Sequence, residues 1–218
     1  MDELKTQVLA IAKTVVAAGL AHETAGNFST IDRKNNQIVI TPSAIARQSC
    51  CADDMCVVDL EGKLLEGRHK PSSETPMHSI IYQQIPSVAA IVHTHSPYAT
   101  AMSVAGLEIG PHAIEILKLN GRVPLVPFAI PGSVELGMKA AEFLQDYPVV
   151  LLEHHGLIAI GKDLEQALLR AVIAEDLAKT WILAAAVGGP RLVSQERLDS
   201  IIAFKKALAG NSPGEIVV

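Results

Sequence analysis

Aromatic residues are scarce in this chain, with one Trp, three Tyr and four Phe among 218 residues. That excludes a core built on stacked rings, so Ala, Val, Ile and Leu must do most of the packing. Charged residues are also few, 19% against 49% apolar, a balance that argues against disorder. Cysteine is limited to Cys50, Cys51 and Cys56. An odd, clustered set with two adjacent members does not make a disulfide framework and fits reduced thiols. No fourth ligand sits nearby to close a cysteine zinc site. No apolar run reaches the ~20 residues of a membrane helix. The most apolar stretch, Leu164 to Val187, is broken by Arg170, Glu175, Asp176 and Lys179. Met1-Asp2-Glu3-Leu4-Lys5 has no signal-peptide pattern, so the expected location is cytoplasmic. A formal net charge of −5 argues against a general nucleic-acid binder.

The length suits one domain, expected over residues 1–210, with a loose tail at 211–218 around Asn211-Ser212-Pro213-Gly214. A mean hydropathy of +0.30 is high for a soluble monomer and points to surface buried between subunits. Leu4 to Gly19 reads as a helix, with Leu4, Val8, Ile11, Val15 and Ala18 at helical spacing. Hairpins are expected at Phe28–Asp32 with Gln37–Ile40, and at Met55–Asp59 with Lys63–Leu65. Thr75-Pro76 starts a helix to Gln84, with the Thr75 hydroxyl as cap. Ala89–Val92, Arg122–Val126, Val149–Leu152 and Leu157–Ile160 read as buried strands, and Ser133–Leu144 and the stretch from Pro97 as helices. A long helix starts at Asp163 and ends by Gly188-Gly189-Pro190, with a short amphipathic helix after Ser194. The alternation gives a mixed α/β layered fold, and its hairpins imply antiparallel pairing. Leu164, Leu168, Leu169, Val172, Ile173, Leu177 and Trp181 cannot share one narrow stripe, so part of the long helix is expected against a neighbouring subunit.

His93 and His95 stand two apart at a strand end, so their rings point to one side. Neutral imidazoles so placed make a pincer for zinc or another transition metal. His154-His155-Gly156 closes a second apolar run, and one of its two histidines can add a third nitrogen. Glu74, just ahead of a helix, reads either as an acid favoured by the helix dipole or as a fourth ligand able to detach and act as a base. Three places can cradle an anion: the helix start at Ser72-Ser73, the loop Thr24-Ala25-Gly26-Asn27, and Thr41-Pro42-Ser43.

Thr24-Ala25-Gly26-Asn27-Phe28-Ser29, Thr41-Pro42-Ser43, Pro71-Ser72-Ser73-Glu74, His93-Thr94-His95 and His154-His155-Gly156 occur in the order seen in class II aldolase/adducin proteins. The chain resembles that family over roughly residues 1–187. The resemblance implies a three-layer fold, a central and mainly antiparallel sheet flanked by helices, assembled as a homotetramer with sites at subunit interfaces. It assigns Glu74, His93, His95 and His155 to one divalent metal, Zn²⁺ or alternatively Mn²⁺, and leaves His154 as a neighbour. It assigns a substrate phosphate to Thr24, Gly26, Asn27, Ser43, Ser72 and Ser73. The implied reaction cleaves a ketose 1-phosphate to dihydroxyacetone phosphate and an aldehyde, with Glu74 as the catalytic proton shuttle.

Two positions depart from the pattern. A tyrosine that helps protonate the leaving aldehyde's oxygen aligns with Ala113, where Tyr98 or Glu115 would have to substitute. Ala44 stands where glycine is usual, a change expected to disturb the phosphate loop little. The same fold hosts pentulose-phosphate 4-epimerases, which resemble Ser72–His78 but carry aspartate in place of Glu74. It also hosts decarboxylases, and adducin-like interaction modules, which are expected to have lost the ligands present here.

Overall fold

Alternate residues of the central strands belong to two different cores. Val39, Val57, Val92, Val149, Leu151, Leu157 and Ala159 pack into one cluster. Ile38, Ile40, Val58, Ile91, Val150, Leu152 and Ile158 pack into the other. This is the period of two expected of a sheet covered on both faces, and it explains why these strands read as unbroken apolar runs. The computed structural model describes residues 1–209. The expected tail at 211–218 lies outside the described residues.

The strands are β1 (Asn27–Asp32), β2 (Gln37–Ile40), β3 (Cys56–Asp59), β4 (Leu64–Glu66), β5 (Ala90–Thr94), β6 (Leu125–Val126), β7 (Val149–Leu152) and β8 (Gly156–Gly161). They form one sheet in the order β4-β3-β2-β1-β5-β8-β7-β6. All pairings are antiparallel except β6 with β7. The helices are α1 (Asp2–Ala17), α2 (Thr75–Gln84), α3 (Pro97–Val104), α4 (Val134–Leu144), α5 (Leu164–Ala185) and α6 (Gln195–Ala209). The buried side chains of α1, α3 and α5 join the first core, and those of α2 and α4 the second. The three-layer expectation therefore holds.

Two local readings need correction. The strand expected at Arg122–Val126 shrinks to Leu125–Val126, with an isolated bridge from Val123 to Ile109. Pro124 interrupts it, because it has no N–H to give a ladder. Thr75 is not the cap of α2: Glu74 holds that position without a side-chain cap bond, while Thr75 Oγ1 donates to the Ser72 carbonyl at 2.6 Å.

The long helix α5 approaches the sheet on Ala167, Ala171, Ala174 and Ala178, all fully buried. Small residues at this spacing let the helix lie close. Its larger residues sit to the sides: Leu168, Val172, Ile173 and Trp181 are half-buried, and Leu169 and Leu183 are exposed.

Candidate metal centre and phosphate pocket

Register places the site. Asn27 at the start of β1 pairs with His93 on β5, and His93 pairs with Ile158 on β8. The β7–β8 turn therefore brings His155 beside the end of β5. His154 takes a left-handed conformation (φ 57°) in that turn and points to solvent, while His155 turns inward. The pair lies in a turn rather than on a continuous strand, and only His155 reaches the site. Gly156 permits this closeness, since a Cβ there would lie 2.3 Å from the Thr94 carbonyl oxygen.

Glu74, His93, His95 and His155 each offer one ligand atom, and these atoms lie within 4.8 Å of one another. Glu74 Oε2 stands 3.0 Å from His93 Nε2, and Glu74 Oε1 stands 3.3 Å from His155 Nε2. The Nε2 atoms of His93 and His95 face each other at 3.0 Å. His93 Nδ1 donates to the Leu157 carbonyl at 2.8 Å, so in the neutral ring Nε2 carries a lone pair. Lone pairs thus converge on one point, and Glu74 Oε1 is buried without a hydrogen-bond donor. A cation relieves that repulsion, and three imidazoles with one carboxylate suit a divalent transition metal. The residues fit the group.

The electrostatics agree. Burial works to raise the Glu74 carboxyl, but the His93 and His155 rings and the Asn27 amide outweigh it and hold it well below the usual range. Burial works to lower His93, but the facing Glu74 charge wins and raises it. Burial and the neighbouring rings lower His95 and His155 to about 4. Those two therefore stay neutral, as metal ligands must.

Behind Glu74 runs a buried chain of hydrogen bonds. Asn27 Nδ2 donates to Glu74 Oε2 at 2.7 Å, and Asn27 Oδ1 accepts from His78 Nε2 at 2.5 Å. His78 Nδ1 must then accept from Ser29 Oγ at 2.6 Å, which leaves Ser29 Oγ to accept from the Tyr82 hydroxyl at 2.8 Å. Burial lowers His78 to about 3, consistent with a neutral ring that relays these bonds. Asn27, expected as an amide donor to phosphate, directs one N–H to Glu74 instead and has one left.

The expected phosphate residues share one cavity of about 360 Å³ with the metal cluster. Thr24, Gly26, Asn27, Ser43, Ser72 and Ser73 line it, as do Glu74, His95 and His155. An isolated bridge between Pro42 and Pro71 joins two of the three loops, and Ser72 N donates to the Thr41 carbonyl. Gly26, at φ +70°, lets the third loop pass, since a Cβ there would lie 2.6 Å from the His93 carbonyl oxygen. Ala44 has φ +58°, so the loop keeps a glycine-like course at the cost of local strain. Arg47 also lines the cavity and is a residue that motif spacing did not single out.

The substitutes considered for the missing tyrosine lie elsewhere. Ala113 and Glu115 line a groove of about 510 Å³ against α5. Tyr98 lines a third cavity with Gly19, Pro97 and Lys179. None of the four clustered ligands borders either.

A family model described as the Class II Aldolase and Adducin N-terminal domain matches residues 6–182. The chain belongs to this family. It is 30% identical over 201 residues to 5-deoxy-D-ribulose 1-phosphate aldolase of Bacillus thuringiensis serovar kurstaki, covering 92% of this chain and 94% of the relative. It is 38% identical over 198 residues to the L-ribulose-5-phosphate 4-epimerase UlaF of Salmonella typhi, covering 84% and 86%. A solved L-fuculose 1-phosphate aldolase superposes with a TM-score of 0.88 at 30% identity, covering 94% of this chain and 96% of that one. The chain is an enzyme of the class II aldolase superfamily. Among the described residues no helix is long and apolar enough to cross a membrane.

Proposed function

We propose that the protein is a metal-dependent aldolase that cleaves a ketose 1-phosphate, L-fuculose 1-phosphate or a related deoxy-ketose phosphate, to dihydroxyacetone phosphate and an aldehyde. One observation carries this reading: three members of the four-ligand cluster, Glu74, His95 and His155, line the same cavity as the hydroxyls of the anion pocket. Glu74, His93, His95 and His155 hold the metal, Zn²⁺ before Mn²⁺ on affinity order. When bound, the divalent cation supplies Lewis-acid polarisation of the substrate carbonyl and offsets the negative charge that develops as the C3–C4 bond breaks.

The chain's own residues do the rest. The loops carrying Thr24, Gly26, Asn27, Ser43, Ser72 and Ser73 grip the phosphate, so remote binding energy fixes the reacting carbons. Glu74 moves the protons: it takes one from the hydroxyl that becomes the aldehyde oxygen and returns one to the carbon released by cleavage. Asn27 and His78 hold the Glu74 carboxylate in place from behind. With Ala113 at the tyrosine position, no tyrosine among the described residues lines this cavity. The reading extends to residues 1–210 as one domain, to a cytoplasmic location, and to a homotetramer with sites at its interfaces.

A second reading has its own support, the 38% identity to a pentulose-phosphate epimerase. Glu74, where those enzymes carry aspartate, favours the aldolase. A coupled assay for dihydroxyacetone phosphate over a panel of ketose 1-phosphates decides between them. Release from at least one is expected; no release, with epimerised or decarboxylated product instead, overturns the aldolase reading.

A further inference from the structure

Arg47 is almost fully buried, a rare state for a guanidinium that has no acid beside it. Its Nη1 donates to the Pro42 and Ile45 carbonyls at 2.9 Å each. Its Nη2 donates to the Thr24 carbonyl at 3.2 Å and the Gly26 carbonyl at 2.8 Å. One side chain thus ties together the two loops that carry Thr24, Gly26 and Ser43. Its Nε–H has no partner. Among the described residues no carboxylate forms an ion pair with it. The ionisable neighbour is Cys50, a buried thiol whose pKa burial raises, so it supplies no counter-charge. No other Arg or Lys lines the cavity.

Four carbonyl dipoles partly solvate the guanidinium but do not neutralise it. A cation in a low-dielectric wall attracts an anion in the adjoining cavity more strongly than a solvated surface cation does. We propose that Arg47 is a positioning residue for substrate charge: it sets the spacing of two phosphate loops and places a second fixed positive charge, besides the metal, beside them, which favours a phosphate dianion. This rests on the phosphate-pocket reading above. The hydroxyls of the pocket supply geometry, and Arg47 adds its charge to that of the metal, from the side of the Thr24 and Ser43 loops. A dianion favoured by the field has its second ionisation shifted to lower pH when bound.

The test uses zinc-loaded protein with inorganic phosphate as the probe, followed by calorimetry and by ³¹P NMR across pH. Arg47→Met is expected to weaken phosphate binding on the order of 10- to 100-fold. It should move the second ionisation of bound phosphate back toward the free value while zinc content stays at the wild-type level. Arg47→Lys keeps the charge but loses the fork, and is expected to retain most of the ionisation shift even where affinity falls. Should Arg47→Met not fold, Arg47→Lys and the wild type still decide. Phosphate that binds the wild type but titrates as it does in free solution overturns the proposal. So does equal weakening in both variants with the ionisation shift unchanged, the result of a purely structural clamp. No phosphate binding to the wild type overturns the phosphate-pocket reading itself, a distinguishable failure.

Discussion

The pocket at the metal cluster and the groove beside Ala113 are both open cavities, yet they are built in opposite ways. The pocket is made of three short loops, cross-tied by backbone bonds and by Arg47, and Glu74 and His93 are buried and held from behind by Asn27 and the Leu157 carbonyl. The groove is larger and lies along α5, where Ile173, Leu177 and Leu183 line it together with Asp176, Lys179 and Thr180. One region preorganises charged and polar groups; the other presents side chains on a helix flank with nothing converging. The difference teaches where the chemistry of a single chain is concentrated. Metal, phosphate grip and one proton carrier come together in the pocket, while the position of the family tyrosine, Ala113, falls in the groove.

The comparison breaks most easily at the ligands. His95→Ala should lose bound metal and more than about 100-fold of activity, because even outer-shell changes at metal sites cost about 10- to 100-fold. Retained zinc with full turnover would remove His95 from the centre. Ser72→Ala should raise KM about tenfold with metal content unchanged, as expected for one lost hydrogen bond to a charged phosphate. A change in kcat alone would place Ser72 outside phosphate binding. Ala44→Gly should raise stability by about 0.5–1 kcal/mol in denaturant melts, since glycine removes the left-handed strain but adds chain entropy. A loss of stability would mean that the Ala44 methyl makes contacts worth more than that strain. In the groove, Glu115→Gln should leave metal content and phosphate affinity unchanged and stability within about 0.5 kcal/mol. Metal loss in that variant would erase the distinction between the two regions.

Much of this was legible in the sequence, and the reasons are local. The period of two along β5, β7 and β8 and the apolar spacing of α1 announced themselves within a few residues. His93 and His95 were legible because a strand puts residues two apart on one side. Choosing His155 over His154 needed the family order, and the left-handed turn at His154 supplies the physical reason. The chain Tyr82–Ser29–His78–Asn27 was not legible, because each of its links joins the first hairpin to a helix about fifty residues away, with no motif spacing to mark it. Arg47 was hidden for a different reason. Nothing in Ala44-Ile45-Ala46-Arg47 separates it from a surface arginine until the loops close around it. The weakness of the Arg122–Val126 strand could have been read from Pro124.

Calorimetric titration of zinc into metal-free protein near neutral pH, in buffers of different ionisation heat, tests the central claim most directly. His95 and His155, lowered to about 4, are already neutral, and the facing Glu74 charge raises His93, so protons compete with the ion there as pH falls. The account predicts one zinc per chain, an affinity that falls as pH drops, and loss of uptake in Glu74→Ala and His155→Ala. Zinc uptake that is unchanged in those variants, or no uptake by the wild type, would contradict it.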